Sequence, residues 1–208
     1  ESSCKVYWES LDMSAANFQN LILANPYPLQ LNPGSFTTQL SLKQNVVTPG
    51  LQYRFVIYAT YDSGTVSASA VVDININEAP KGGVFTISPT TGTALSTSFY
   101  WNTYNWNDDP NDFPLDYTFY YYSESLNNKK IVKTASPVKY ANVLMGQGAE
   151  KIGYACYCFV TVLDLYGGAT TMTTSTITVS PQADLASIQN DMTAILTQAY
   201  DFGDSTTV

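Results

Sequence analysis

Two stretches of the chain carry the same strand–turn–strand pattern, and no other sequence feature limits the fold so strongly. In the first, the odd positions Tyr53, Phe55, Ile57, Ala59 and Tyr61 are apolar or aromatic. That period of two belongs to a half-buried strand. Asp62-Ser63-Gly64 turns the chain, and Val66 to Ile76 returns it with small and β-branched residues. In the second, Cys156, Cys158, Val160 and Val162 alternate, Asp164-Leu165-Tyr166-Gly167 makes the turn, and Thr170 to Val179 returns. The hairpins lie about 100 residues apart, the usual size of one β-sandwich. The chain therefore reads as all-β, an internal repeat of two Greek-key sandwiches of the fibronectin or immunoglobulin type.

The second copy is the fuller one, over residues 80–180. Val84–Ser88, Thr97–Tyr104, Asp116–Ser123, Lys130–Thr134 and Val138–Met145 precede its hairpin, about the seven strands a Greek-key sandwich needs. The first copy, residues 1–79, starts late. Val6-Tyr7-Trp8 reads as the third strand of a sandwich, with Trp8 at its centre, and fewer than six residues come before it. Without its first two strands the domain leaves a sheet edge and an apolar face open. The expectation is that earlier residues of a longer protein, or another chain by strand addition, complete it. The first residue, Glu1, is not a methionine and no signal-peptide pattern follows it, so the chain reads as a piece of something longer. Pro49-Gly50 leads into the first hairpin, where Tyr53 is a candidate tyrosine corner; Tyr154 stands two residues out of step in the second.

Beyond the repeat, Ser180-Pro181 is a helix start signal. Leu185, Ile188, Met192, Ile195, Leu196 and Ala199 recur at helical spacing up to Gly203. This predicts an amphipathic helix over 181–203, packed on a neighbouring domain, and a tail at 204–208. The segment has no Lys or Arg, which argues against a membrane-surface role.

Composition narrows the function classes. Of the 208 residues 45% are hydrophobic and only 12% charged, against about 25% charged in an average domain. The net charge of -8 repels phosphate backbones, so no nucleic-acid partner is expected; calcium or a basic protein surface suits it better. The chain has no histidine, which removes the Ser-His-Asp triad and the commonest zinc ligand. No phosphate-binding or dinucleotide-binding glycine loop occurs. No apolar run reaches the roughly 20 residues that span a bilayer, so direct membrane insertion is not expected. The expectation is a protein that is not an enzyme and carries no cofactor, calcium being the one ion to consider.

Candidate site residues fall into four groups. The loop Asn107-Asp108-Asp109-Pro110-Asn111-Asp112 offers Asp108, Asp109 and Asp112 as calcium ligands; the same residues are turn formers in their own right. Trp106, just before it, is either core or the wall of a ligand loop. Sixteen tyrosines include the run Tyr120-Tyr121-Tyr122: strand alternation buries one and wets its neighbours, or exposed rings bind sugar or protein. The three cysteines, Cys4, Cys156 and Cys158, are an odd number, so at least one is unpaired or bonded outside the chain. Cys4 has a possible partner in the missing strands. Cys156 and Cys158 read as buried thiols, since a bond between residues two apart on one strand is poorly placed. No Asn-x-Ser/Thr sequon occurs, which leaves O-glycans open and N-glycans unexpected.

Several of these segments together resemble the receptor-for-egg-jelly (REJ) region of polycystin-type receptors and ciliate surface proteins. They are Tyr7-Trp8; Thr48-Pro49-Gly50 with Tyr53-x-Phe55 and Gly64; and the junction Asn77-Glu78-Ala79-Pro80-x-Gly82-Gly83. They continue with Pro89-x-x-Gly92-x-Ala94-Leu95-x-Thr97-x-Phe99, Trp106-x-Asp108-Asp109, Pro114-Leu115 and Tyr117-x-Phe119-x-Tyr121; the closing helix with Gly203-Asp204 is also similar. The resemblance implies fibronectin-like sandwiches in very large proteins, outside the cell or at its surface. It also implies a cysteine pair in the opening strands of the second domain, and Val84–Ser88 and Thr97–Tyr104 contain none. The expected function is a non-catalytic structural or adhesive module that joins other domains or copies of itself by protein contacts, by strand addition into a filament or matrix. The alternative is a ligand-binding module, for glycan or calcium, using the loops near 106–112.

Overall fold

The structure is a computed structural model that describes residues 4–24, 29–31, 38–61, 66–174, 176–183, 189, 190, 192–194, 196 and 197. Strands take about half of the described residues and helices 13%, consistent with an all-β protein. The chain divides into two compact units, Glu1–Glu78 and Ala79–Val208.

The first unit is one antiparallel sheet. Its strands are β1 (Cys4–Ser10), β2 (Leu29–Leu31), β3 (Gln52–Tyr61) and β4 (Val66–Asn75), in the order β2-β1-β3-β4. The long β3–β4 hairpin pairs from Gln52↔Asn75 to Tyr61↔Val66. Beside it β1 runs with Trp8 opposite Ile57 and Ser10 opposite Phe55. A helical turn at Ala15–Asn17, capped by the Ser14 hydroxyl, passes into a π-helical turn at Phe18–Ile22. This turn delivers Phe18 onto one face of the sheet, its ring centroid 5.7 Å from that of Phe55. Phe18, Leu23 and Phe55 form the core, with Trp8, Met13, Leu40, Leu42, Tyr53 and Ile74 packed against them. Cover stops there. On the same face, Ala68, Ala70 and Val72 are exposed, Val72 by 39%. Neither the helical turns nor the three-residue β2 is visible in the sequence, because neither is long enough to show a period.

Among the described residues the second unit has nine strands: β5 (Val84–Ser88), β6 (Thr91–Thr93), β7 (Ser98–Tyr104), β8 (Asp116–Tyr122), β9 (Lys130–Ser136), β10 (Tyr140–Leu144), β11 (Ala155–Leu163), β12 (Ala169–Thr173) and β13 (Ile177–Ser180). They make a sheet β10-β7-β5 and a sheet β6-β13-β11-β8-β9, with β12 also on β11. The return strand expected as one piece over Thr170 to Val179 is thus two strands. β12 pairs with Phe159 to Leu163 and β13 with Ala155 and Cys156. At the break the Thr173 hydroxyl lies 3.0 Å from the Cys158 carbonyl, to which it donates. β13 then takes β6 as a parallel neighbour.

Alternation builds one core from both sheets. Phe85, Ile87, Phe99 and Trp101 come from the smaller sheet; Tyr117, Phe119, Tyr121, Cys156, Cys158, Val160, Val162, Ile177 and Val179 come from the larger. Trp101, fully buried, bridges them. Its ring meets Phe85 at 5.6 Å and sets its edge on Phe119 at 6.0 Å and 82°. The central tryptophan is therefore Trp101, which is not among the candidate residues named from the sequence. The signal was present, since Phe99, Trp101 and Thr103 alternate with Tyr100, Asn102 and Tyr104.

The helix expected over 181–203 lies largely outside the described residues, as do Leu185, Ile188, Ile195, Ala199, Gly203 and the tail 204–208. Residues 189, 190, 192–194, 196 and 197 are helical. There the Thr193 and Thr197 hydroxyls donate to the Gln189 and Thr193 carbonyls, and Met192 and Leu196 are each 49% exposed.

Candidate functional site: the loop end of the second unit

Two connections meet at one end of the second unit, residues 105–115 after β7 and residues 164–168 after β11. The first is anchored by reciprocal backbone bonds between Lys81 and Asn107, each 2.9 Å. Asp109 then caps a short 3-10 turn at Pro110–Asp112, its Oδ1 accepting from Asn111 N at 3.2 Å. In the second connection Asp164 Oδ1 accepts from Tyr166 N at 2.8 Å and Gly168 N at 2.9 Å. Leu165 N donates to Asp112 O at 3.0 Å and ties the two together.

The outcome is a cluster of three carboxylates. The ligand oxygens of Asp108, Asp112 and Asp164 lie within 4.8 Å of one another. Asp112 and Asp164 are buried. Burial, and then the charges of Asp108, Asp109 and Asp164, push the Asp112 carboxyl above the usual carboxylate range. Of the expected ligands, the structure brings Asp108 and Asp112 together. Asp109 stands outside the cluster, turned onto its own loop, and Asp164 takes its place. Asp164 reads in sequence as a turn residue, and no local pattern links it to a loop some fifty positions earlier.

Trp106 supports this end of the unit. It is half-buried against the core, and its Nε1 donates to Thr103 Oγ1 at 2.6 Å, which in turn donates to Val84 O at 2.8 Å. The indole lies over Gly83, where an added Cβ meets Trp106 Cε2 at 2.1 Å. Gly83 thus has a packing reason, because only a residue without a side chain fits beneath the ring, while Gly82 is not crowded and takes φ 74°.

The other candidates take structural positions. Tyr53 OH accepts from Thr48 N at 3.1 Å, five residues upstream, which is tyrosine-corner geometry. Hydrogen bonding with Thr48, from its hydroxyl first and then from its backbone N–H, holds the Tyr53 phenol below its ordinary pKa. No such hydroxyl bond is found for Tyr154 among the described residues; it sits before β11 with φ 62°. Trp8 is half-buried on the first core, its Nε1 buried without an acceptor among the described residues. In β8, Tyr117, Phe119 and Tyr121 point inward. On the opposite face Tyr120 and Tyr122 stack on Phe159 at 5.2 and 5.3 Å, and Tyr122 on Tyr157 at 5.3 Å.

All three cysteines are free thiols. Cys156 and Cys158 are fully buried on the core face of β11. Burial pushes the Cys156 thiol up to about 11 and raises that of Cys158 further. Cys4 is half-buried opposite Tyr61. A thiolate must form and be reached before it reacts, so titration of the folded chain with a thiol reagent near pH 8 should modify Cys4 alone. Cys156 and Cys158 should react only after denaturant is added; fast reaction of all three in buffer would contradict their burial.

These features define an all-β protein of two sheet-built units, in which buried strand faces are committed to packing and the acidic groups that meet do so on loops. No helix among the described residues is long and apolar enough to cross a membrane. The family model described as the REJ domain matches residues 3–206, and the chain belongs to that family. REJ domains lie in the extracellular regions of polycystin-type proteins. A comparison with curated proteins finds no match.

Proposed function

We propose that the chain is a non-catalytic extracellular module that spaces and joins other domains through protein contacts. The location is supported by the family, whose members lie in extracellular regions. Strand order supports tandem fibronectin-like sandwiches. In the second unit β10-β7-β5 shares one core with β6-β13-β11-β8-β9, two layers that are antiparallel except for the β13–β6 pair, close to the Greek-key arrangement. The first unit's order β2-β1-β3-β4 corresponds to one layer of the same design, with the tyrosine corner at its base.

The observation that carries the functional reading is the uncovered part of that layer. Beyond Phe55 the face that holds the first core continues as Ala68, Ala70 and Val72, exposed and apolar. A half-covered sheet is a surface for a second layer, and a neighbouring module or a further copy of the chain supplies it. The catalytic alternative has little to work with in a sequence without histidine.

Sedimentation velocity over a range of concentrations tests the reading. The chain should self-associate, and Val72→Glu, which places a charge on the open face, should shift it toward monomer while leaving the melting of the second unit unchanged. A chain that is monomeric throughout and melts as a stable, fully cooperative fold would overturn it.

A further inference from the structure

The geometry points to a calcium site at the loop end of the second unit, with Asp108, Asp112 and Asp164 as its protein ligands. This does not depend on the joining role proposed above. Distance is the first argument. Calcium holds its oxygens at about 2.3–2.6 Å, so two ligands of one ion stand at most about 5 Å apart. The three carboxylates, within 4.8 Å of one another, satisfy that limit. Magnesium holds its oxygens at about 2.1 Å, spans only about 4.2 Å, and gives up its water reluctantly.

Asp112 is the second and independent argument. It is only 8% exposed, and among the described residues its carboxylate accepts no hydrogen bond. The charges that act on it, from Asp108, Asp109 and Asp164, are all negative. A buried carboxylate is ordinarily hydrogen-bonded, paired with a cation, or protonated. Asp112 sits instead at the meeting point of two further carboxylates, where one divalent ion neutralises the cluster.

The surrounding bonds hold these ligands in place. The two amides on Asp164 Oδ1 fix its orientation, Asp109 N donates to Asp108 Oδ1 at 2.9 Å, and the Leu165–Asp112 backbone bond locks the loops together. Remaining positions in a shell of six to eight oxygens fall to second carboxylate oxygens and water, as in extracellular modules with dissociation constants of about 0.1–1 mM.

The test is thermal unfolding of the chain at pH 7.5 with 5 mM calcium chloride, with 5 mM magnesium chloride, and with chelator. Calcium should raise Tm by about 3–8 °C, and magnesium by much less. Asp112→Asn keeps the side-chain shape and removes the buried charge. It should abolish the calcium response while leaving the chelated Tm at or above that of the unaltered chain. Asp164→Asn, or Asp108→Asn should that variant fail to fold, should also lose the response, and Asp109→Asn should keep it. Equal Tm with calcium and chelator, a response retained in Asp112→Asn, or equal loss in Asp109→Asn would each overturn the assignment; the last would mark diffuse attraction to an acidic surface.

Discussion

Trp101→Ala is expected to cost the second unit about 3–5 kcal/mol, the range for removing a buried tryptophan from a packed core. Total stabilities of single domains run from about 5 to 15 kcal/mol, so the variant should be partly unfolded at 37 °C. The size of the effect follows from position. Trp101 is fully buried and, beside Phe85, carries the smaller sheet onto Phe119 of the larger one. Its removal leaves a cavity bordered by Phe85 and Phe119, and rigid strands collapse poorly into such a space. Guanidinium unfolding followed by circular dichroism measures the loss. Trp106→Ala is the comparison and should cost less, because Trp106 is half-buried at the margin of the same core. A larger loss for Trp106 than for Trp101 would reverse the structural roles given to the two rings. Trp101→Phe should lie between wild type and Trp101→Ala. It sacrifices ring volume but also removes an indole N–H that is buried without an acceptor among the described residues.

Gly148→Ala is expected to destabilise the same unit by about 2–3 kcal/mol through overpacking. An added Cβ meets Tyr154 O at 2.1 Å, Tyr154 C at 2.2 Å and Tyr154 Cα at 2.7 Å. These are backbone atoms, which cannot swing aside as the end of a side chain does. They are also held from three directions: Tyr154 N donates to Ala149 O, Val179 N to Tyr154 O, and Gly148 N to Val179 O, each at 3.0 Å. Relief of the clash must break part of this set and loosen β13. Gly153→Ala is the contrast, since that glycine has φ 67° but nothing within 4 Å of its added Cβ. It should lose only the backbone term, about 1 kcal/mol. Denaturant unfolding compares the two, and amide exchange at Val179 reports whether β13 has opened. Equal losses at the two glycines would mean that the close approach at Gly148 has no energetic weight.

The repeated hairpin was the most legible element because its information is local. Tyr53 to Tyr61 and Cys156 to Val162 each display their inward faces within one strand, and a period of two can be read without knowing what lies opposite. The helical turns, β2 and β6 left no such trace, being too short to repeat anything. The broken return strand was hidden for another reason. Residues 169–180 keep a β-rich composition throughout, and only the exchange of partners along β11 divides them.

The acidic loop shows the same boundary at the level of the candidate site. Asp108, Asp109 and Asp112 are close in sequence and of one chemical type, so residue type alone does not separate them. The 3-10 turn does so, because it spends Asp109 on its own cap and leaves Asp112 facing inward. Asp164 enters only because β11 carries its turn to the same end of the unit.

By itself, the sequence determined the all-β class, the inward faces of the long strands and the likeness to REJ domains, since each depends on residues near one another along the chain. The tertiary structure alone decided that Trp101 meets Phe119 of the opposite sheet, that Gly148 must lack a side chain, and that Asp164 meets Asp108 and Asp112. Those facts depend on groups distant in sequence occupying one small volume, where close packing and unscreened charge, rather than local pattern, set the energies.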